Sequence, residues 1–204
     1  MDDDRRAYLA ILGQEGEKYA LAVRGYCLMA NHVHLIVVPA AAESLAKAVG
    51  RTHFRYTQYV NRLHGRSGHL WQNRFDSCAL DEEHSRQAMR YIERNPVHAR
   101  RVRRAWRYPW SSAAAHCGGK DSSGLLDLAA WARESAGWDW KAALTEPQDE
   151  AMVRSIRLAL SRGRPLGSDS FVSKLEKLAG RRLRALPVGR PRKKRPPRSQ
   201  GRKK

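Results

Sequence analysis

Residues 19–39 read YALAVRGYCLMANHVHLIVVP, and this stretch decides the fold. Two runs rich in Val, Ile, Leu and Tyr, about 19–29 and 32–38, flank the turn-prone pair Ala30-Asn31, and Pro39 closes the second run. Branched and aromatic side chains fit a pleated, half-buried surface, and Asn supplies turn geometry, so the expectation is a β-hairpin. Side chains alternate across a strand, which puts His32 and His34 on one face, about 7 Å apart along the backbone.

Working outward, Asp3 or Asp4 can cap a preceding helix through about residue 16, with Tyr8, Leu9, Ile11 and Leu12 on one side. Apolar positions recur at helical spacing over 41–63, and Gly65 and Gly68 end that element. A strand is expected over 70–80. Asp81-Glu82-Glu83 then opens a helix whose acidic first turn suits the helix dipole, and Asn95-Pro96 should stop it at about Arg94. Beyond residue 108 only helices are expected, at about 125–135, 148–162 and 169–180, with Ser168 or Asp169 capping the last. The break at 163–167 resembles the turn of a helix-turn-helix, and two helices packed as a lid on the first domain is the equal alternative. The expected class is α+β, an antiparallel sheet with helices. We divide the chain into a first domain over 1–115, a helical region over 116–180 and a basic tail over 181–204.

The chain has 204 residues, 39 Lys and Arg against 20 Asp and Glu, and 42% apolar residues. That apolar content is too high for a wholly disordered chain, and the length allows one sizeable core. No apolar run reaches the roughly 18 residues a membrane span needs, and no basic-then-apolar N-terminal segment marks export, so a soluble cytoplasmic protein is expected. Cys27, Cys78 and Cys117 form no C-x-x-C pair and read as small apolar residues. The positive charge is concentrated in two places. Residues 181–204 hold twelve basic and no acidic residues among Pro and Gly, which reads as a disordered grip on nucleic-acid backbone, or a solubilising end. Residues 51–107 hold thirteen Arg interleaved with Phe54, Tyr56, Tyr59, Trp71, Phe75, Tyr91 and Trp106. Arg forks phosphate and aromatic rings stack on bases, a composition suited to single-stranded nucleic acid.

Two imidazoles on one strand face can ligate one divalent ion, although a pair of buried structural histidines would look the same. Tyr91 and Asn95 are four apart and share a helix face, as would a core tyrosine beside a C-terminal cap. Taken together these residues make a proposal. An ion held by His32, His34 and an amide oxygen polarises a phosphodiester, and the neighbouring phenol attacks it. A phenol of pKa about 10 needs such help at neutral pH. Mixed nitrogen and oxygen ligation fits Mg²⁺ or Mn²⁺. Arg74, Arg90 and Arg94 are candidates for backbone contacts, with surface salt bridges as the alternative. Arg55 and Arg62, on the helix before the 70–80 strand, are candidates on the same terms. His53, His64, His69, His84, His98 and His116 have no ligand-like spacing to the pair.

These residues resemble a known family. The segments YCLMANHVHL at 26–35, GHLWQNRF at 68–75, RYIERNPV at 90–97, YPWSS at 108–112 and RGRPLGS at 162–168 are similar to the REP-associated tyrosine transposases, a branch of the single-tyrosine HUH superfamily. The resemblance implies a palm-like α/β domain around an antiparallel sheet. It also implies His32 and His34 as metal ligands, Asn95 as the third and Tyr91 as nucleophile. Such enzymes nick and join single-stranded DNA at palindromic hairpins with Mg²⁺ or Mn²⁺, through a 5′-phosphotyrosine link, as monomers or homodimers. Family members carry an N-terminal strand and a Gly-Asn turn ahead of the Asp-rich helix start. Here Met1 is followed at once by Asp2, so the expected sheet lacks its first strand. The alternative functions are a DNA-binding protein that no longer cuts and an RNA-binding protein with a structural His-x-His.

Overall fold

The computed structural model describes residues 2–185. Of the expected tail, residues from 186 onward therefore lie outside the described residues. The class is α+β, as expected. Helix α1 (Asp2–Lys18) leads into strands β1 (Leu21–Leu28) and β2 (Val33–Pro39), then α2 (Ser44–Leu63) and α3 (Glu82–His98). A 3-10 turn (Ala105–Arg107) and the short helices α4 (Ala113–His116), α5 (Leu128–Glu134) and α6 (Trp140–Thr145) follow. The last helices among the described residues are α7 (Glu150–Arg162) and α8 (Asp169–Ala179).

The hairpin forms where its sequence places it. β1 and β2 pair antiparallel, Cys27 opposite His34 and Leu28 opposite Val33, and the Met29 N–H donates to the His32 carbonyl at 2.9 Å to close the turn. Strand alternation divides the side chains between two cores. Tyr26, Leu28, Val33, Leu35 and Val37 pack with Tyr8, Leu9 and Leu12 of α1, while Cys27, Met29 and Ile36 pack with Met89, Tyr91 and Ile92 of α3. The hairpin is thus the middle of three layers. His34 lies two residues before Ile36 and so faces α3, the helix that carries Tyr91 and Asn95. On its far side β1 meets the 110–112 segment, with Leu28 N–H donating to the Trp110 carbonyl and Ser112 N–H to the Tyr26 carbonyl. Among the described residues the sheet has these two strands.

A register irregularity at Arg24 turns Gly25 toward α3. A Cβ on Gly25 would lie 2.2 Å from Met89 Sδ and 2.7 Å from its Cε, so the missing side chain is what lets α3 sit this close. Gly25→Ala is expected to lower unfolding stability by roughly 1–3 kcal/mol through overpacking, measured by urea titration. An unchanged midpoint would show that Met89 swings aside freely.

Two expectations are corrected. Residues 70–80 form no strand; the only pairing there is an isolated bridge from Leu80 to Leu166. Side chains, not a ladder, hold the segment: Trp71 stacks on His53 of α2 with ring centroids 3.9 Å apart and donates Nε1–H to the His53 carbonyl at 3.1 Å. Second, α3 does not stop at Asn95-Pro96 but runs to His98 with Pro96 inside it, and Ala99 N–H still reaches the Asn95 carbonyl at 2.9 Å. Pro96 sits in the last turn, where little helix remains to be disrupted, and its ring is buried. The extra turn keeps Asn95 helical and aligned with Tyr91.

The later helices close over α3. Trp140 and Leu144 of α6 and Ile156 of α7 belong to the same buried cluster as Met89, Tyr91 and Ile92. Asp127, Asp139, Asp149 and Ser168 each accept a backbone N–H as N-caps of α5 to α8, and Gly163 and Gly180 end α7 and α8 in the left-handed region. Asp81 ties both ends together, capping α3 through His84 N–H at 2.9 Å and accepting Ser168 N–H at 2.7 Å.

Candidate active site

The structure brings His32, His34, Tyr91 and Asn95 into one place. The two imidazole centroids are 4.8 Å apart, and the His34 ring meets the Tyr91 ring edge-on at 5.7 Å. Asn95 Nδ2 lies 2.9 Å from His34 Nε2. His34 therefore touches both α3 residues, one helical turn apart, because β2 presents it to α3 and the i, i+4 spacing stacks Tyr91 and Asn95 on the facing side.

Burial disfavours the charged form of both imidazoles, which favours the neutral form that can donate a lone pair. Burial, then the charges of His32 and Arg157, push the His34 pKa down to about 4, and burial lowers His32 as well. His32 Nδ1 lies 2.8 Å from Asn31 Oδ1, which can only accept, so the ring proton is on Nδ1 and Nε2 is free. Asn95 Nδ2 can only donate, so His34 Nε2 also carries its lone pair. Among the described residues no three His, Cys, Asp or Glu side chains converge. Asn95 can offer an amide oxygen as a third protein ligand beside the imidazoles after a half-turn of its side chain. The donor set fits a divalent ion that accepts nitrogen and oxygen together.

Two groups that the sequence did not single out complete the surroundings. Arg157 of α7 donates Nε–H to Tyr91 Oη at 3.2 Å, with its Cζ 5.5 Å from the ring centroid. Behind α3, Glu93 is fully buried, with Oε1 accepting from Ser112 Oγ and, at 2.6 Å, from His116 Nδ1, and Oε2 accepting from Trp140 Nε1 at 2.8 Å. This carboxylate joins the helix bearing Tyr91 to α4 and α6. Ser112 accordingly makes no side-chain cap to α4, the role its position suggests. No local pattern marks either group, since each partner lies at least nineteen residues away in sequence.

The arginines divide into two sets. Arg90 donates to the carbonyls of Ala143, Glu146 and Pro147 at 2.7–3.0 Å, and Arg94 donates to that of Leu144, so both clasp the C-terminal end of α6. Arg55 pairs with the buried Glu15 at 2.7 Å. Arg62 and Arg74 are exposed, and their side chains make no hydrogen bond to another described residue. Of the six histidines outside the pair, His53, His84 and His116 serve Trp71, Asp81 and Glu93 respectively.

The site is thus a histidine pair at the start of β2 facing a tyrosine and an asparagine on α3. The family model described as IS200-like transposase matches residues 1–95, which covers the hairpin, the histidine pair, Tyr91 and Asn95. The match covers fewer than half of the 204 residues, and it is this N-terminal segment that is similar to the IS200-like transposases. No curated protein and no solved structure matches the chain. Among the described residues no helix is long and apolar enough to cross a membrane.

Proposed function

We propose that this chain nicks and rejoins single-stranded DNA at palindromic hairpins of the REP type, with Tyr91 as nucleophile and a 5′-phosphotyrosine intermediate. The observation that carries the reading is that His34 contacts both Tyr91 and Asn95, with the second imidazole 4.8 Å away.

His32, His34 and Asn95 are the residues that would hold Mg²⁺ or Mn²⁺. Such an ion, when bound, neutralises charge on phosphate oxygens. The chain's own residues do the positioning. α3 holds the Tyr91 ring edge-on to that of His34 at 5.7 Å, and its burial, 7% exposed, limits the rotamers from which it attacks. Attack forms the Tyr91 oxygen–phosphorus bond and breaks the bond from phosphorus to the 3′ oxygen. The phosphoryl group stays on the protein as a diester, which retains the bond energy for rejoining. The exposed Arg62 and Arg74 are placed to meet backbone phosphate.

The test uses single-stranded oligonucleotides that fold into short palindromic hairpins, chosen by scanning the genome around the gene for inverted repeats. With Mn²⁺ or Mg²⁺ a denaturing gel should show a shifted protein–DNA band that is absent in EDTA. Salt-sensitive DNA binding with no shifted band in either metal would select the reading of a DNA-binding protein that does not cut.

A further inference from the structure

We propose that Arg157 is a further catalytic residue of this reaction, its guanidinium holding the attacking Tyr91 oxygen and clamping a non-bridging oxygen of the scissile phosphate. The proposal rests on the nicking activity proposed above. It adds that the active site is completed by α7, a helix outside the segment the transposase family model matches.

Three observations carry it. Tyr91 is buried, and the partner of its hydroxyl is Arg157 Nε at 3.2 Å. Ile156, the neighbouring residue, is 4% exposed in the same cluster as Tyr91, so the base of the arginine is fixed against α3. The side chain itself is exposed beyond that anchor, and its two terminal amino groups make no hydrogen bond to another described residue. Arg154, one turn earlier on α7, is paired with Glu150, whereas Arg157 has no carboxylate partner among the described residues. An unpaired guanidinium with one donor on a nucleophile and a free fork facing solvent matches a tetrahedral phosphate entering from that side.

The chemistry follows from what a guanidinium can do. It has no acceptor, so it cannot take the phenol proton. That proton passes to solvent water as the Tyr91 oxygen bonds to phosphorus. The departing 3′ oxygen takes a proton from water, and Arg157 stays protonated throughout. Its donors face oxygens whose negative charge grows as the five-coordinate phosphorus forms, which is where fixed donors lower a barrier. The same contacts favour the reverse attack by a 3′ hydroxyl on the phosphotyrosine.

The experiment measures single-turnover covalent adduct formation at saturating hairpin oligonucleotide in Mn²⁺, together with the Kd for the same oligonucleotide in EDTA, on the full chain. Arg157→Gln is expected to slow adduct formation by about 10²–10³-fold. Its Kd should change by no more than the loss of a single phosphate contact. Arg157→Lys should recover part of the rate, and added methylguanidinium should accelerate Arg157→Ala but not the parent. Arg154→Gln, on the same helix, keeps the parental rate. If Arg157→Gln unfolds early, the Lys variant and the guanidinium rescue decide. An Arg157→Gln rate equal to the parent's, or a loss explained wholly by weaker binding with no rescue, overturns the assignment of Arg157. A parent that forms no adduct overturns instead the nicking activity on which it rests.

Discussion

Tyr91→Phe is expected to bind hairpin DNA as the parent does while forming covalent adduct at least about 10³-fold more slowly. The substitution removes one oxygen and leaves the ring, which meets His34 at 5.7 Å and packs with Met89 and Ile92. The hydrogen bond lost is the one from Arg157, worth about 1 kcal/mol of stability, so the variant stays folded. Single-turnover adduct formation on a denaturing gel, with binding followed separately by anisotropy, makes the comparison. Six other tyrosines are present in the chain, and Tyr8 and Tyr26, each 2% exposed, are too buried to substitute. Adduct formation by Tyr91→Phe at the parental rate would remove the phenol from the reaction.

The second large effect is structural and lies behind the same helix. Glu93→Ala is expected to lower unfolding stability by about 3–5 kcal/mol, measured by urea titration with tryptophan fluorescence and circular dichroism. The deletion strands the buried donors on His116 and Trp140, leaves the Ser112 hydroxyl only the Tyr26 carbonyl at 3.3 Å, and opens a void where a fully buried side chain stood. Glu93 is two residues from both Tyr91 and Asn95, so the variant should also lose adduct formation through a loosened α3. Glu93→Gln keeps the volume and one acceptor oxygen and should fall between parent and Ala. A stability change below about 1 kcal/mol for Glu93→Ala would mean that water replaces the carboxylate without cost.

The parts of this architecture that depend on short-range physics were legible in the sequence. The alternation of 19–38 around Ala30-Asn31 fixed the hairpin, and with it the common face of His32 and His34. The helical period of 41–63 and the acidic cap at 81–83 located α2 and α3, and the fourfold spacing put Tyr91 above Asn95. What the sequence did not reveal depends on partners far along the chain. Residues 70–80 have strand-like aromatics, yet Trp71 gains more by stacking on His53 than by joining a ladder. Pro96 reads as a stop, and only its burial against the core shows why the helix continues. α6 is six residues long, too short for periodicity to register, and is held by Arg90 and Arg94 from α3. Those two arginines read as candidates for nucleic-acid backbone contacts, with surface salt bridges as the alternative, until the carbonyls of 143–147 are seen in front of them. Arg157 is one basic residue among several on an amphipathic helix, and nothing local distinguishes it from Arg154.

Peptide mapping of the adduct tests the central claim most directly. After the protein has reacted with a hairpin oligonucleotide in Mn²⁺, nuclease and protease digestion followed by tandem mass spectrometry should place the residual nucleotide on the oxygen of Tyr91. A nucleotide found on any other residue, or an oligonucleotide cut with none attached to the protein, would contradict it.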